Sequence, residues 1–199
     1  MKKGFTLVEM LVVISILSIF GILILTIFTR SLRSSNKSQI IGVIKQNGQA
    51  VLENMDKIIR NADNVVCPFV NPDGTRSTTL VVVKNGIYTR FRFRNGLIEQ
   101  DNPRKQDVKD SRPVREETDT ELVNRICHIN DIALSPITLT DTNPQTGVSV
   151  ENGSFVRDRA AGFQDQVTIG FAIKPGVDAP PAIAGQIDPV TFQTTVQLR

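Results

Sequence analysis

From Phe5 to Phe28 the chain presents 24 residues with a single charge, Glu9, before polar positions return at Thr29, Arg30, Ser31 and Arg33. At about 1.5 Å of rise per residue such a run makes roughly 36 Å of helix, long enough to cross a bilayer. Further on, Ile41, Ile44, Val51, Leu52, Met55, Ile58, Ile59 and Ala62 recur at steps dominated by three and four residues, and Lys45, Gln46, Gln49, Glu53, Asn54, Lys57 and Arg60 fill the opposite side. That is the pattern of a helix half-embedded in a folded domain. One helix over about 5–62 is therefore predicted, with an apolar half at 5–28 and an amphipathic half at 29–62. Its expected weak places are Ser34, Ser35 and Asn36, then Gly42 and Gly48, because each glycine costs up to about 1 kcal/mol against alanine.

After Cys67, Pro68 and the turn-rich Asn71-Pro72-Asp73-Gly74, the period changes to two. Residues 79–84, 87–94 and 97–100 are separated by Asn85-Gly86 and Asn95-Gly96, two successive hairpin signals, since a type I′ turn needs φ > 0 at both central positions. The two-residue turns set the register. Leu80, Val82, Ile87, Phe91, Phe93 and Ile98 fall on one face, expected to cover the helix stripe, and Tyr88, Arg90, Arg92 and Arg94 fall on the other. Asp101 to Arg125 is dense in charge of both signs and reads as an exposed loop. Residues 126–140 read as a strand interrupted at Pro136, 141–154 as turns, and 166–174 and 190–198 as two closing strands joined by a Pro/Gly-rich loop. The fold class is α+β: a long amino-terminal helix packed on an antiparallel β-sheet, with the β-rich head at 63–199.

With about 170 residues beyond the apolar run, there is room for one domain with a real core. Net charge is +3, so nothing demands a polyanionic partner. The Arg90, Arg92 and Arg94 ladder is the one feature pointing to nucleic acid, and only weakly. Phe91 and Phe93 point to the other face, and Arg92 should oppose Glu99, so a solvated, partly paired sheet face is the favoured reading. No nucleophile has an evident base, and neither a phosphate-cradling G-x-x-x-x-G-K nor an H-E-x-x-H helix occurs. His128 beside Cys127 falls short of a zinc set, and Glu116, Glu117, Asp119 and Glu121 lack calcium-loop spacing, so no metal, cofactor or catalytic residue is assigned. Cys67 and Cys127, the only cysteines, are either a disulfide or two buried thiols; the bridge is favoured for a head outside the cytoplasm.

An acid at membrane depth costs several kcal/mol unless a partner neutralises it, so Glu9 is a functional residue by default. The residues around it sharpen this. The run Lys2-Lys3-Gly4-Phe5-Thr6-Leu7-Val8-Glu9 resembles the processing site of type IV pilins and of the pseudopilins of type II secretion and competence systems. A cleaved secretory signal does not fit, because the apolar run is too long for one and no small-x-small site follows closely, so the alternative is an ordinary uncleaved single-pass anchor. The resemblance implies a leader at 1–4, cutting by a prepilin peptidase between Gly4 and Phe5, N-methylation of Phe5, and pairing of Glu9 with the amino-terminal amine of a neighbouring subunit. It also implies a pilin-like fold, an inner-membrane assembly platform and other pilin subunits as partners, and a single-pass membrane precursor that becomes part of a surface filament. The last strand, Phe192 to Arg199, resembles that of minor pilins and pseudopilins, which favours a minor or priming subunit. A secretion or DNA-uptake pseudopilin and a membrane-anchored adhesin or DNA-binding head are the alternatives. Lys2 and Lys3 oppose Arg30, Arg33 and Lys37 across the run, so orientation follows from the resemblance and not from charge.

Overall fold

The amphipathic pattern is realised as a helix whose buried positions are Ile44, Gly48, Val51, Met55, Ile59 and, just past its end, Ala62, spaced four, three, four, four and three residues apart. This helix, α1, spans Leu7–Arg60. The computed structural model describes residues 6–68, 76–103, 126–127, 136–143, 146–159, 162–176, 178, 185 and 187–199. It forms two units, Met1–Gly42 and Val43–Arg199. In the first, the described part is helix from Leu7 onward, with its large apolar residues from Leu7 to Leu32 exposed. At the far end of α1, the Asn61 side-chain Nδ2 donates to the Lys57 carbonyl at 2.7 Å and the Ala62 backbone amide to the Ile59 carbonyl at 3.1 Å, satisfying carbonyls that the helix leaves open.

The second unit carries two antiparallel sheets. The first runs in order β1-β2-β3-β4-β5, with β1 Asn64–Cys67, β2 Thr79–Lys84, β3 Ile87–Arg94, β4 Leu97–Asp101 and β5 Ile137–Thr138. The Asn85-Gly86 and Asn95-Gly96 pairs sit in two-residue turns with positive φ (Asn85 49°, Gly86 77°; Asn95 51°, Gly96 74°), as the hairpin signal predicts. The register follows, with Leu80 opposite Phe91, Phe93 opposite Ile98 and Arg92 opposite Glu99. The second sheet runs β6-β7-β8, with β6 Val148–Asp158, β7 Gln166–Pro175 and β8 Val190–Gln197.

Three expectations need correction. Residues 141–154 are not all turn, because β6 begins at Val148. Its alternation changes phase at a bulge between Glu151 and Ser154, so Val150 and Phe155 face inward together although one is even and the other odd. Nor is 126–140 one strand: Ile126 and Cys127 lie in a helical turn, and β5 holds only two residues. Asp101 belongs to β4 and is buried, where the charge density placed it in an exposed loop. The rest of that loop, His128 and the acidic run at 116–121 lie outside the described residues.

Phenylalanines join the sheets. Phe93 stacks on Phe155 at a centroid distance of 4.7 Å and lies 5.8 Å from Phe171, which stacks on Phe192 at 5.4 Å. Gly153 in the β6 bulge leaves the space that the Phe93 ring occupies, and Gly48 in α1 does the same for Phe192. Gly48 is thus a packing position and not the weak place its helix propensity suggests. Gly42 has open space around it.

Candidate functional site

The amino-terminal site is built around Thr6 and Glu9. The Glu9 amide donates to Thr6 Oγ1 at 3.3 Å, while Glu9 Oε2 accepts from the Thr6 amide at 3.1 Å and from the Thr6 hydroxyl at 3.1 Å. This reciprocal pair is a capping box: a threonine at the cap and an acid three residues on satisfy each other's amides. The carboxylate also lies where the helix dipole favours negative charge. The pattern T-x-x-E ahead of an apolar run is the sequence signature of this device, so Thr6 belongs to the site beside Glu9. Gly4 and Phe5 lie outside the described residues.

Beyond the cap, the most apolar window of α1 has a mean hydropathy of 3.0 with none of it buried, making this a helix long and apolar enough to cross a membrane. Its hydroxyls are satisfied locally: Ser15, Ser18 and Thr26 donate to the carbonyls of Leu11, Ile14 and Ile22, each at 2.8 Å. Such back-bonding lets hydroxyls sit in hydrocarbon without an external partner. Glu9 is the one charged residue among those described up to Phe28.

The arginine ladder is placed otherwise than expected. Arg90, Arg92 and Arg94 do share a face with Tyr88, but Arg90 is 0% and Arg92 6% exposed. Arg90 forms a two-armed pair with Asp101 (Nε 2.8 Å, Nη2 2.5 Å) and donates through Nη1 to the Ile126 carbonyl at 3.1 Å. Arg92 reaches Glu99 at 3.2 Å and Asp101 at 3.3 Å. Burial, and next the neighbouring Arg90 charge, lower the Arg92 pKa, against the pull of Asp101 and Glu99. Covering this face are Ile126 and Cys127, pinned by a Cys67–Cys127 disulfide with a Cα separation of 6.1 Å, inside the usual window of about 4.4–6.8 Å. Cys67, Val81, Ile126 and Cys127 form a small apolar cluster there. The solvated basic face is thereby corrected: two of its three arginines are withdrawn from any polyanion. The third, Arg94, is exposed at the strand end.

A second ion cluster closes the β6–β7 hairpin, where Asp165, itself buried, accepts from Arg157 at 2.6 Å and from Arg159, and Arg157 also donates to the Pro68 carbonyl at 3.3 Å. Burial would raise the Asp165 pKa; the hydrogen bonds from Arg159 and Arg157 outweigh it and hold the carboxyl below its ordinary value. Two open grooves lie among the described residues. One, of about 470 Å³, lies between the end of α1 and the β2–β3 turn, with Lys57, Ile58, Val82, Lys84 and Ile87 among its lining. The other, of about 270 Å³, lies over the small residues Ser154, Thr168, Gly170 and Ala172. No cluster of three or more metal-binding residues occurs among the described residues.

Residues 1–27 match the family model described as the prokaryotic N-terminal methylation motif. No curated protein and no solved structure matches this sequence. A membrane-length helix at the amino terminus, a carboxylate at its cap and the methylation motif over the same residues fit a single-pass inner-membrane precursor of a surface filament. The chain thus carries the prepilin-type methylation motif at its amino terminus on an α+β, pilin-like architecture of one long helix and antiparallel sheets.

Proposed function

We propose that the protein is a structural subunit, minor or priming, of a type IV pilus-like filament, made as a membrane-anchored prepilin. A prepilin peptidase cuts between Gly4 and Phe5 and methylates the Phe5 amine; Glu9 then meets the amino-terminal amine of a neighbouring subunit at the assembly platform. The observation that carries this reading is Glu9 itself. It is an acid in a bare apolar helix whose partners among the described residues are the amide and hydroxyl of Thr6, and none of those residues sets a cation beside it. A carboxylate capped by neutral groups can stand at a membrane boundary, but moving it into a filament core leaves a charge whose compensation must come from another subunit. The resemblance supplies that cation, since cutting creates a new amine four residues before Glu9.

Within this reading the head serves as the outward-facing body. Its size, with two sheets and a long helix half, favours a minor or priming subunit over a compact pseudopilin. Intact mass of the protein from its native membrane tests the proposal: loss of residues 1–4 and gain of one methyl group are expected, with the disulfide retained. A mass equal to Met1–Arg199 overturns it. Replacing Gly4 should leave the longer, unmethylated form in the membrane, and normal mature mass in that variant would refute the assigned cutting site.

A further inference from the structure

Four Asn-Gly pairs occur in the sequence, Asn47-Gly48, Asn85-Gly86, Asn95-Gly96 and Asn152-Gly153, and the structure treats them very differently. In an Asn-Gly pair the glycine nitrogen can attack the carbonyl of the asparagine amide group. A new bond from that nitrogen to the carbonyl carbon closes a succinimide, the bond from the same carbon to the amide nitrogen breaks, and ammonia leaves. Water then opens the ring at either carbonyl, giving aspartate or its β-linked isomer; the net change is amide plus water to carboxylate plus ammonium. The step requires the asparagine amide to be free and the following peptide plane to turn, so a fold that pins either one suppresses it.

Three of the four pairs are pinned. Asn47 lies within α1, its Nδ2 donating to the Val43 carbonyl at 3.0 Å and its Oδ1 accepting from the Asp141 amide at 3.1 Å. Gly153 lies in the β6 bulge under the Phe93 ring. The two hairpin turns make the sharpest contrast, because Lys84-Asn85-Gly86-Ile87 and Arg94-Asn95-Gly96-Leu97 are nearly the same sequence in nearly the same backbone conformation. At Gly96 the carbonyl accepts from the Val150 amide at 2.8 Å, and Ser149 Oγ would lie 2.8 Å from an added Cβ, so the second sheet clamps that turn. At Gly86 nothing lies within 4 Å of an added Cβ, residues 84–87 are all exposed, and the Asn85 amide group makes no hydrogen bond among the described residues. The Asp63 carboxylate holds only the Asn85 backbone amide, at 2.6 Å, upstream of the bond that must turn.

We propose that Asn85-Gly86 is the deamidation site of the folded protein, a modification that writes a carboxylate onto the rim of the groove beside Lys57 and Lys84. The product also stands next to Asp63, and its β-linked form adds a backbone carbon to a two-residue turn, disturbing the β2–β3 register. The groove is thus the surface that changes as the protein ages.

The test is a peptide map of the full-length protein in detergent, aged in mildly alkaline buffer, with a parallel sample in urea. In the folded sample Asn85 should convert at least about tenfold faster than Asn95, because the clamped turn reacts only after local opening. In urea the four pairs should convert at similar rates, which reports their intrinsic reactivity. A smaller ratio in the folded sample, or an Asn85 as protected by folding as Asn95, overturns the proposal. Neither outcome bears on filament assembly.

Discussion

Glu9 and Asp101 are both carboxylates set among apolar residues, and the protein handles them in opposite ways. Asp101 sits in β4 with two guanidinium groups of its own sheet around it, and a disulfide-pinned turn closes over the Arg90 side. Glu9 has a threonine cap and exposed apolar residues along the helix beyond it. The head therefore neutralises its buried charge internally. Among the described residues the amino-terminal helix meets its charge with the neutral groups of Thr6 alone, and on the proposed reading the neutralisation falls to another subunit. On that reading, a head that neutralises its own charges and a helix completed by assembly differ in just this respect.

The largest effect should come from breaking the internal arrangement. Asp101→Asn leaves Arg90 buried without its carboxylate, and removing one member of a buried pair costs about 3–5 kcal/mol. Urea unfolding of the variant in detergent should show a loss of that order; a loss below about 1 kcal/mol would mean that the pair is open to water. Next in size is the Cys67–Cys127 bridge, which closes a sequence separation of 60 residues. Cys127→Ser should destabilise the head by about 2–4 kcal/mol and abolish the difference between oxidised and reduced melting curves.

These two predictions touch residues of unequal legibility. The meander of β2, β3 and β4 is readable in advance because Asn-Gly fixes turn type and turn type fixes register, which puts Arg92 opposite Glu99 from sequence alone. The burial of Arg90 and Arg92 is not, because it depends on the turn at Ile126 and Cys127, brought from far along the sequence by a disulfide whose pairing is only one of two readings of the cysteines. Asp101 is hidden for a related reason: it heads a charged stretch, and local charge density outvotes a strand that runs one residue further. Strand β6 escapes a sequence reading because its bulge shifts the inward set from even to odd positions, defeating any template of period two. At the amino terminus the residues of the motif carry their meaning locally, so that site is the most readable part of the molecule.

Gly48 and Gly42 sharpen the contrast between the helix inside and outside the head. Helix propensity alone says that either glycine changed to alanine should stabilise by up to about 1 kcal/mol. Gly42→Ala should do so, since nothing lies near it. Gly48→Ala should instead cost about 1–3 kcal/mol by pushing Phe192 out of its stack with Phe171. Opposite signs in thermal melts are expected; equal signs would mean that the Phe192 ring yields easily.

Acid should weaken the head through Asp165. Its folded pKa is depressed, so its stabilisation is present above the ordinary carboxylate value and is lost as pH falls through the lower folded one. Asp165→Asn should start less stable and show a flatter acid limb in melting temperature against pH. The same slope in both proteins would place the acid sensitivity elsewhere.

Glu9 should have the smallest effect on head stability and the most to say about assembly. Glutamine also completes a capping box, accepting from the Thr6 amide through its Oε1, whereas alanine cannot. Glu9→Gln therefore removes the charge and keeps the cap, and Glu9→Ala removes both. Urea unfolding of the head should be unchanged in either, because the substitution lies outside the unit that unfolds. If Glu9 matters through an amine on a neighbouring subunit, both variants should be cut and methylated normally yet enter filaments poorly. Rescue by glutamine alone would show that the cap is what assembly needs, and the contrast with Asp101 would then be one of helix capping and not of a charge completed by another subunit.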